Sequence, residues 1–441
     1  MEEKNFNKEK GKIMRILRNA FKAKYYQQCF SELNLDLSRD ITYEEFKKIP
    51  VMDKNNYNAN KFDLVTLNTD DFDRDYYFSL SKGNEKQEYL QRFKLRYMTT
   101  SGSTGQPLEV LKGYNDEYMD YFTLNYYRKK MSNYNFKGAF VWIWPENPIM
   151  RQFLNGDMNG TELKKYRIEN RYGYKYFMHE HSDKNFKDLY DFICEKKCEW
   201  VTSSPSLLYK LACYIQEKQF NYIEFQYIEC HSEKLYDWQK EKIEEVFKCK
   251  PVSIYSSNEI QFMAGMCENE HLHMFSKGCF IEFMENNGIK EVCVTSLNYF
   301  DVPIIRYKLG DCGDWCYDEQ CDSRLGKLPS FVLNGTRVND LLTTKSGTIM
   351  EPFVITDSVH LLCNRFGLEI KQHKIKQLSP DSFAFYFSKR DLDSSNIEYR
   401  FFLQDYLTKL LGYEVNVTIA EIEDLKELND GRKFRYFERC F

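Results

Sequence analysis

Between Gly138 and Ser257 the chain alternates short apolar runs with longer amphipathic ones. GAFVWIW from Gly138, WVTSS from Trp200, FQYIEC from Phe225 and VSIYSS from Val252 are interleaved with LLYKLACYIQE from Leu207 and DWQKEKIEEVF from Asp237. The short runs have the length and composition of strands, and the longer ones have the apolar spacing of helices. Strands joined through helices are expected to be parallel neighbours, because a parallel pair needs a crossover connection. The pattern therefore constrains the fold to an α/β layered domain with a largely parallel sheet. Around Asp311 the texture changes to short β-like pieces, EVCVTSL before it and FVLNG after, and a last segment from about 341 mixes strands and helices.

Upstream, Ile13, Ile16, Leu17, Phe21, Tyr25 and Phe30 recur at helical steps, which predicts one helical face from Lys12 to about Leu33. Thr42 and Glu45 have the form of a capping box and predict a second helix from Thr42. Residues from about 60 to 95 read as polar and irregular. The aromatic run YMDYFTLNYY from Tyr118 has helical spacing and reads as core or pocket wall. Trp142 and Trp144, near the end of a predicted central strand, read as core or as lining for a substrate.

Composition weighs against several classes. Lys+Arg 62 against Asp+Glu 66 gives a net charge of −4, which provides no basic field for nucleic acid or anionic lipid. An aromatic content of 16% belongs to a chain with a packed core. The longest apolar stretch, GAFVWIWP, falls far short of the roughly 20 residues of a membrane helix. Fourteen cysteines in a long chain that opens MEEKNFNKEKGK, without an apolar leader, read as reduced thiols in the cytoplasm.

Glycine is scarce, 20 in all, so a segment where glycines cluster is informative. In TTSGSTGQPLEV, from Thr99, Gly102 and Gly105 free the backbone to bend. Its N–H groups and the hydroxyls of Thr99, Thr100, Ser101, Ser103 and Thr104 can then converge on an anion. The spacing is not that of a Walker loop, and the flanks read strand–loop–strand. The same composition also serves an ordinary hairpin turn. Downstream stand VSIYSSNEI with Tyr255 and Glu259, VPIIRYKLGD with Arg306 and Asp311, NGTRVND with Arg337 and Asp340, and DGRKFR with Lys433.

In this order and at these separations the strings resemble the adenylate-forming enzymes, in the branch of phenylacetate–CoA ligase and the capsular-polysaccharide adenylating proteins. EEFKKIPVMDKNNY with Lys54, SSPSLLYKLA from Ser203 and HSEK with Glu233 extend the resemblance over nearly the whole chain. It implies a large N-terminal domain of layered sheets and helices, residues 1–340, and a small mobile α+β C-terminal domain, residues 341–441, pivoting at Asp340. The implied activity is that of an ATP-dependent, AMP-forming ligase. A carboxylic acid becomes an acyl-AMP, and the acyl group then passes to coenzyme A. An amine or hydroxyl acceptor is one alternative, and a non-catalytic nucleotide-binding homologue is another.

Carried over residue by residue, Thr100, Ser101, Gly102, Ser103, Thr104 and Gly105 would hold the β- and γ-phosphates. Tyr255 would stack on adenine, Asn258 would hydrogen-bond a phosphate, and Glu259 would bind Mg²⁺. Asp311 would accept the ribose hydroxyls, and Arg337 would contact the nucleotide near the hinge. Lys433 would bridge the α-phosphate and the acid. The partners are a small carboxylic acid and an acyl acceptor, with a homodimer left open. Gln106 stands where the family's loop usually has Lys. Ser256 and Asn258 replace the glycine and threonine of Y-G-x-T-E, and Thr336 separates Gly335 from Arg337.

Seven of the cysteines fall between Cys249 and Cys321. Some members of the branch hold structural zinc through a Cys, a His six residues on and a later C-x-C pair. Cys267 and His273 keep that spacing, and Cys321 stands at the first position of the pair, with Ser323 at the second. Cys316 or Cys312 would complete a set of thiolates and imidazole, as zinc prefers. Without the resemblance these cysteines read as small core hydrophobes. His179 and His181 in MHEHSD read as a loop feature.

Overall fold

The computed structural model describes residues 1–81, 83–99, 108–145, 164–168, 171–178, 182–286, 289–316, 321–337, 342–347, 349–350, 353–368, 370, 373–388, 392–422 and 437–441. The phosphate-loop residues Thr100–Gly105, Gln106, the hinge Asp340, Lys433 and the pair His179 and His181 lie outside these described residues, and Arg337 is described for its backbone alone.

Helices α1 (Glu2–Ala20), α2 (Lys24–Glu32), α3 (Tyr43–Lys47), α4 (Lys54–Asn60), α5 (Arg74–Ser79) and α6 (Gly83–Gln91) open the chain. The hairpin β1 (Leu95–Thr99) and β2 (Glu109–Gly113) leads into α7 (Tyr114–Met131). The alternating region then runs β3 (Phe140–Pro145), β4 (Lys164–Ile168), β5 (Arg171–Met178), α8 (Asp183–Glu195), β6 (Trp200–Ser203), α9 (Pro205–Glu217), β7 (Tyr227–Cys230), α10 (Asp237–Phe247) and β8 (Pro251–Tyr255). A β-rich stretch follows: β9 (Ala264–Met266), β10 (Leu272–Met274), β11 (Cys279–Asn286), β12 (Ile289–Ser296), β13 (Tyr307–Trp315) and β14 (Ser330–Arg337). The remainder holds β15 (Leu342–Thr343), β16 (Ile349–Met350), α11 (Phe353–Phe366), β17 (His373–Ser379), β18 (Ser382–Ser388), α12 (Ile397–Leu411), β19 (Asn416–Ile422) and β20 (Phe437–Arg439).

Among the described residues, twelve strands form one sheet in the order β11-β12-β13-β14-β10-β9-β8-β7-β6-β3-β5-β4. The pairings from β8 through β5 are parallel, as the alternation predicts, and those on the other side are antiparallel. The parallel strands bury Val141, Ile143, Val201 and Ile228 against α8, α9 and α10. A larger core joins α1, α2 and the following short helices to β11, β12 and β13. Strands β17 to β20 form a separate sheet in the order β19-β18-β17-β20, with its own core under α11 and α12. The fold class is thus α/β with a smaller C-terminal unit. Among the described residues no helix is long and apolar enough to cross a membrane.

Two local readings need correction. The predicted helical face over 12–33 is two helices, because Ala23 is extended (φ −86°, ψ 136°) and restarts the chain as α2. Phe21, counted on the apolar face, is 45% exposed at that break. The irregular segment over 60–95 contains α5 and α6, and Asp73 caps α5 by accepting from Tyr76 N. The capping box at Thr42 and Glu45 is present as predicted.

The aromatic run on α7 is buried only in part. Leu124 and Tyr127 face the core, while Tyr118 is 67% exposed. Asp116, Asp120 and Thr123 are buried in its place, facing residues 298–302.

Arg306 fixes the start of β13. Its guanidinium is buried, pairs with Glu282 (Nε–Oε2 3.2 Å), and donates to the carbonyls of Lys47 and Ile49. Its backbone sits in the left-handed region at φ 51°. Met52 N–H donates to the Arg306 carbonyl, and Lys308 N–H donates to that of Met52. The EEFKKIPVMDK segment is in this way fastened beside PIIRYKLGD. Removing one member of a buried ion pair leaves the other uncompensated. Arg306→Met is expected to lower the unfolding free energy by about 3–5 kcal/mol, measured by urea titration. A loss below ~1 kcal/mol, the worth of an exposed pair, would contradict this role.

Candidate functional site

The predicted adenine and ribose residues meet. Tyr255 ends β8, Asp311 lies in β13, and the Tyr255 hydroxyl donates to Asp311 Oδ2 at 2.8 Å. Gly310 takes φ +79°, a conformation that L-residues with a Cβ rarely adopt, and the pairing with β14 shifts register just beyond it, between Asp311 and Gly313. Opposite Asp311 across that ladder stands the backbone of Arg337. Two residues 26 apart in sequence are thereby neighbours, although Thr336 makes the hinge motif one residue longer than the family pattern.

Glu259 sits in the loop after β8, half-buried, and accepts from the Tyr307 hydroxyl at 3.2 Å. Burial and the Glu259 charge both push the Tyr307 pKa up, so the phenol stays a donor. Tyr307 in turn packs edge-on against Tyr57, whose hydroxyl accepts from Leu111 N of β2. The loop is tied to itself: Ser257 Oγ accepts from Ile260 N at 3.0 Å, Ser256 Oγ accepts from Phe262 N at 3.2 Å, and Met263 N donates to the Tyr255 carbonyl. Ser256 and Ser257 thus supply side-chain acceptors that hold this turn. Asn258 lies in the same loop, between Tyr255 and Glu259.

The segment with the phosphate-cradle composition is spanned by β1 and β2. Thr99 lies opposite Glu109, so this antiparallel hairpin encloses residues 100–108, as the strand–loop–strand reading predicts. Toward the carboxyl ends of the parallel strands stand Trp144 on β3 and His231 just after β7, with Trp142 midway along β3. Ligands of open α/β sheets bind at such ends. Trp142 Nε1 donates to His231 Nε2 at 3.1 Å, the two indole centroids are 5.2 Å apart, and Lys175 lies over the Trp142 ring. The Trp144 indole N–H is buried and has no acceptor among the described residues. Sequence reasoning named HSEK only as supporting the resemblance and missed His231. Its place directly after a predicted strand was the available signal.

The cysteine–histidine reading is met with a changed member. One ligating atom each from Cys267, His271, His273 and Cys321 lies within 4.8 Å of the others. Cys267 and Cys321 have their sulfurs 3.6 Å apart. His273 Nδ1 donates to the Leu328 carbonyl at 3.2 Å, leaving Nε2 as the lone-pair nitrogen, and that atom is buried without a hydrogen-bond partner among the described residues. Burial works against the Cys321 thiolate, but hydrogen bonds from Ser323, His271 and Cys267 bring the thiol down to about 6. Cys316, the expected fourth member, is outside the group, as is Cys312. Cys316 N–H extends the β14 pairing by donating to Ser330 O, and Cys312 lies within β13. His271 takes the fourth place because Cys267 N bonds His271 O across the β9–β10 turn, and residues two apart on a strand share a face. The H-x-H spacing at 271 and 273 carried that signal.

The sheet order, the helix-flanked parallel half and the smaller C-terminal unit define the adenylate-forming ligase fold. A 2-hydroxyisobutyryl-CoA ligase in the postadenylation state, in complex with R3-HIB-AMP, is similar to this chain with a TM-score of 0.67 and 14% identity, covering 96% of this chain and 90% of that one. An open conformation of that ligase, in complex with 2-HIB-AMP and CoA, is similar with a TM-score of 0.56 and 13% identity over 98% of this chain and 90% of its own. An anthranilate CoA ligase in complex with anthranoyl-AMP is similar with a TM-score of 0.50 and 11% identity, covering 76% of this chain and 67% of that one. At such identities the likeness is one of fold. No protein-family model matches the sequence, and no curated protein sequence does.

Proposed function

We propose that the chain is an ATP- and Mg²⁺-dependent ligase of the phenylacetate–CoA ligase branch that adenylates a carboxylic acid and passes the acyl group to coenzyme A. The observation that carries this reading is the meeting of Tyr255 and Asp311, with Glu259 in the loop directly after Tyr255 and Arg337 opposite Asp311. A ribose offers two vicinal hydroxyl donors, and a carboxylate is the acceptor type that suits both. The Tyr255 ring can at the same time offer a face to adenine. The fold is shared with CoA ligases, one of them solved with acyl-AMP and CoA together, and this supports coenzyme A as the acceptor.

In the reaction an oxygen of the acid attacks the α-phosphorus, forming the acyl–phosphate bond, and the bond to the β-phosphate breaks to release pyrophosphate. Charge grows on the phosphate oxygens, so donors fixed in advance lower the barrier. The loop Thr100–Gly105 would supply those donors to the β- and γ-phosphates, and Asn258 would supply another. Glu259, a half-buried carboxylate offering hard oxygen donors, would hold Mg²⁺, whose charge offsets that of the triphosphate. Lys433 would bridge the acid and the α-phosphate, carried by a domain of residues 341–441 that turns at Asp340 on residues 1–340. Trp142, Trp144 and His231 would wall the acyl group.

A structural zinc ion is the second cofactor proposed, held by Cys267, His271, His273 and Cys321. Two sulfurs and two imidazole nitrogens suit its tetrahedral preference, and the Leu328 carbonyl orients His273 in the manner of an outer-shell partner.

Carboxylate-dependent exchange of pyrophosphate into ATP tests the activity. Exchange is expected with at least one member of a broad panel of acids, and Lys433→Ala is expected to abolish it while ATP still binds. Undiminished exchange in that variant would show Lys433 to be misassigned, and ATP binding with no exchange on any acid would favour a non-catalytic protein. Elemental analysis of the purified chain is expected to find about one zinc per chain, falling sharply in His273→Ala; a content far below one would remove the zinc assignment.

A further inference from the structure

Helix α7 lays Asp116, Asp120 and Thr123, roughly a turn apart, against the loop between β12 and β13. The Asp116 carboxylate accepts from the backbone N–H groups of Phe300 (2.7 Å), Asp301 (3.0 Å) and Val302 (2.9 Å). Thr123 Oγ1 accepts from Asn298 Nδ2 at 2.8 Å. Between them Asp120 accepts from the Tyr299 hydroxyl at 2.7 Å and pairs with Lys112 Nζ, which also reaches that hydroxyl. The Tyr299 oxygen accepts once more, from Gln261 N at 2.9 Å. Lys112 and Asp116 are 0% exposed, Tyr299 1% and Asp120 3%.

A buried charge pair is a weak source of stability, because desolvation offsets most of the attraction. Apolar side chains would fill this seam at lower cost, so its physical content lies in what it aligns. Lys112 lies on β2, the strand that closes the hairpin around residues 100–108. Gln261 follows Glu259 by two residues in the loop that holds Asn258. Tyr299 leads through Val302 into Arg306 and the strand of Asp311. Three segments distant in sequence, each leading to a different group of proposed nucleotide residues, converge on one phenolic oxygen.

We propose that Tyr299 is a positioning residue for Mg²⁺·ATP, its hydroxyl setting the loop of Asn258 and Glu259 against β2 and β13; this rests on the nucleotide reading of the site. The hydroxyl donates to Asp120 and accepts from Lys112 and Gln261. A phenyl ring at 299 would therefore keep the packing and release all three.

Mg²⁺·ATP binding to the full chain, by titration calorimetry, tests this in two variants of the same seam. Tyr299→Phe is expected to weaken binding about tenfold. Thr123→Val, which breaks the bond to Asn298 but leaves the Tyr299 hydroxyl with Asp120, Lys112 and Gln261, is expected to lower the melting temperature and leave the affinity within about twofold. An unchanged affinity in Tyr299→Phe overturns the proposal. So does a loss in both variants that tracks their loss of stability, since Tyr299 would then be structural only. Should Tyr299→Phe not fold, amide exchange in the unmodified chain decides: slow exchange at Gln261 without nucleotide is expected, and fast exchange there overturns it. If the unmodified chain binds no Mg²⁺·ATP, the nucleotide reading itself fails, and that result is distinct from either variant's.

Discussion

A buried guanidinium determines where the candidate site can form. Arg306 is held by Glu282 and by the carbonyls of Lys47 and Ile49, and the strand that leaves it must run beside Met52. From that fixed start the next residues fall into place: Tyr307 against Glu259, the left-handed Gly310, and then Asp311 against Tyr255. A shift of β13 by one residue would turn Asp311 to the other face of the sheet and undo the meeting with Tyr255. The most specific string in the sequence is therefore first a structural device, and the residue proposed for the ribose comes five residues after its anchor.

The polar seam under α7 repeats the same principle. Asp116 and Asp120 sit where an amphipathic helix would place leucines, and Tyr118 sits in solvent. Three backbone N–H groups on one carboxylate fix a loop more narrowly than apolar contact does, because hydrogen bonds are directional and apolar burial is not. The fold carries this expense between the segments that lead to the proposed nucleotide residues, where their relative position matters most.

Much of this was legible in the sequence. Alternating runs gave the parallel strands β3, β6, β7 and β8, because short buried strands and amphipathic helices differ in period and length. Short strings gave Tyr255, Glu259 and Asp311, whose spacing survives in the structure as contact or adjacency. What stayed hidden depends on partners far away in sequence. The break at Phe21–Ala23 interrupts no apolar period. The burial of Asp116 and Asp120 requires knowing that residues 299–302 lie opposite. His271 joins Cys267 only through the β9–β10 turn, and His231 after β7 meets Trp142 of β3 across the intervening β6. Period and spacing report on one segment at a time, and these contacts belong to pairs.

The central claim is that Tyr255, Glu259 and Asp311 form one nucleotide site. A crystal structure of the chain with Mg²⁺ and a non-hydrolysable ATP analogue measures this directly. Adenine is expected against the Tyr255 ring, both ribose hydroxyls on the Asp311 carboxylate, and the metal on Glu259. A nucleotide bound elsewhere, with no ribose hydroxyl on Asp311, would contradict it.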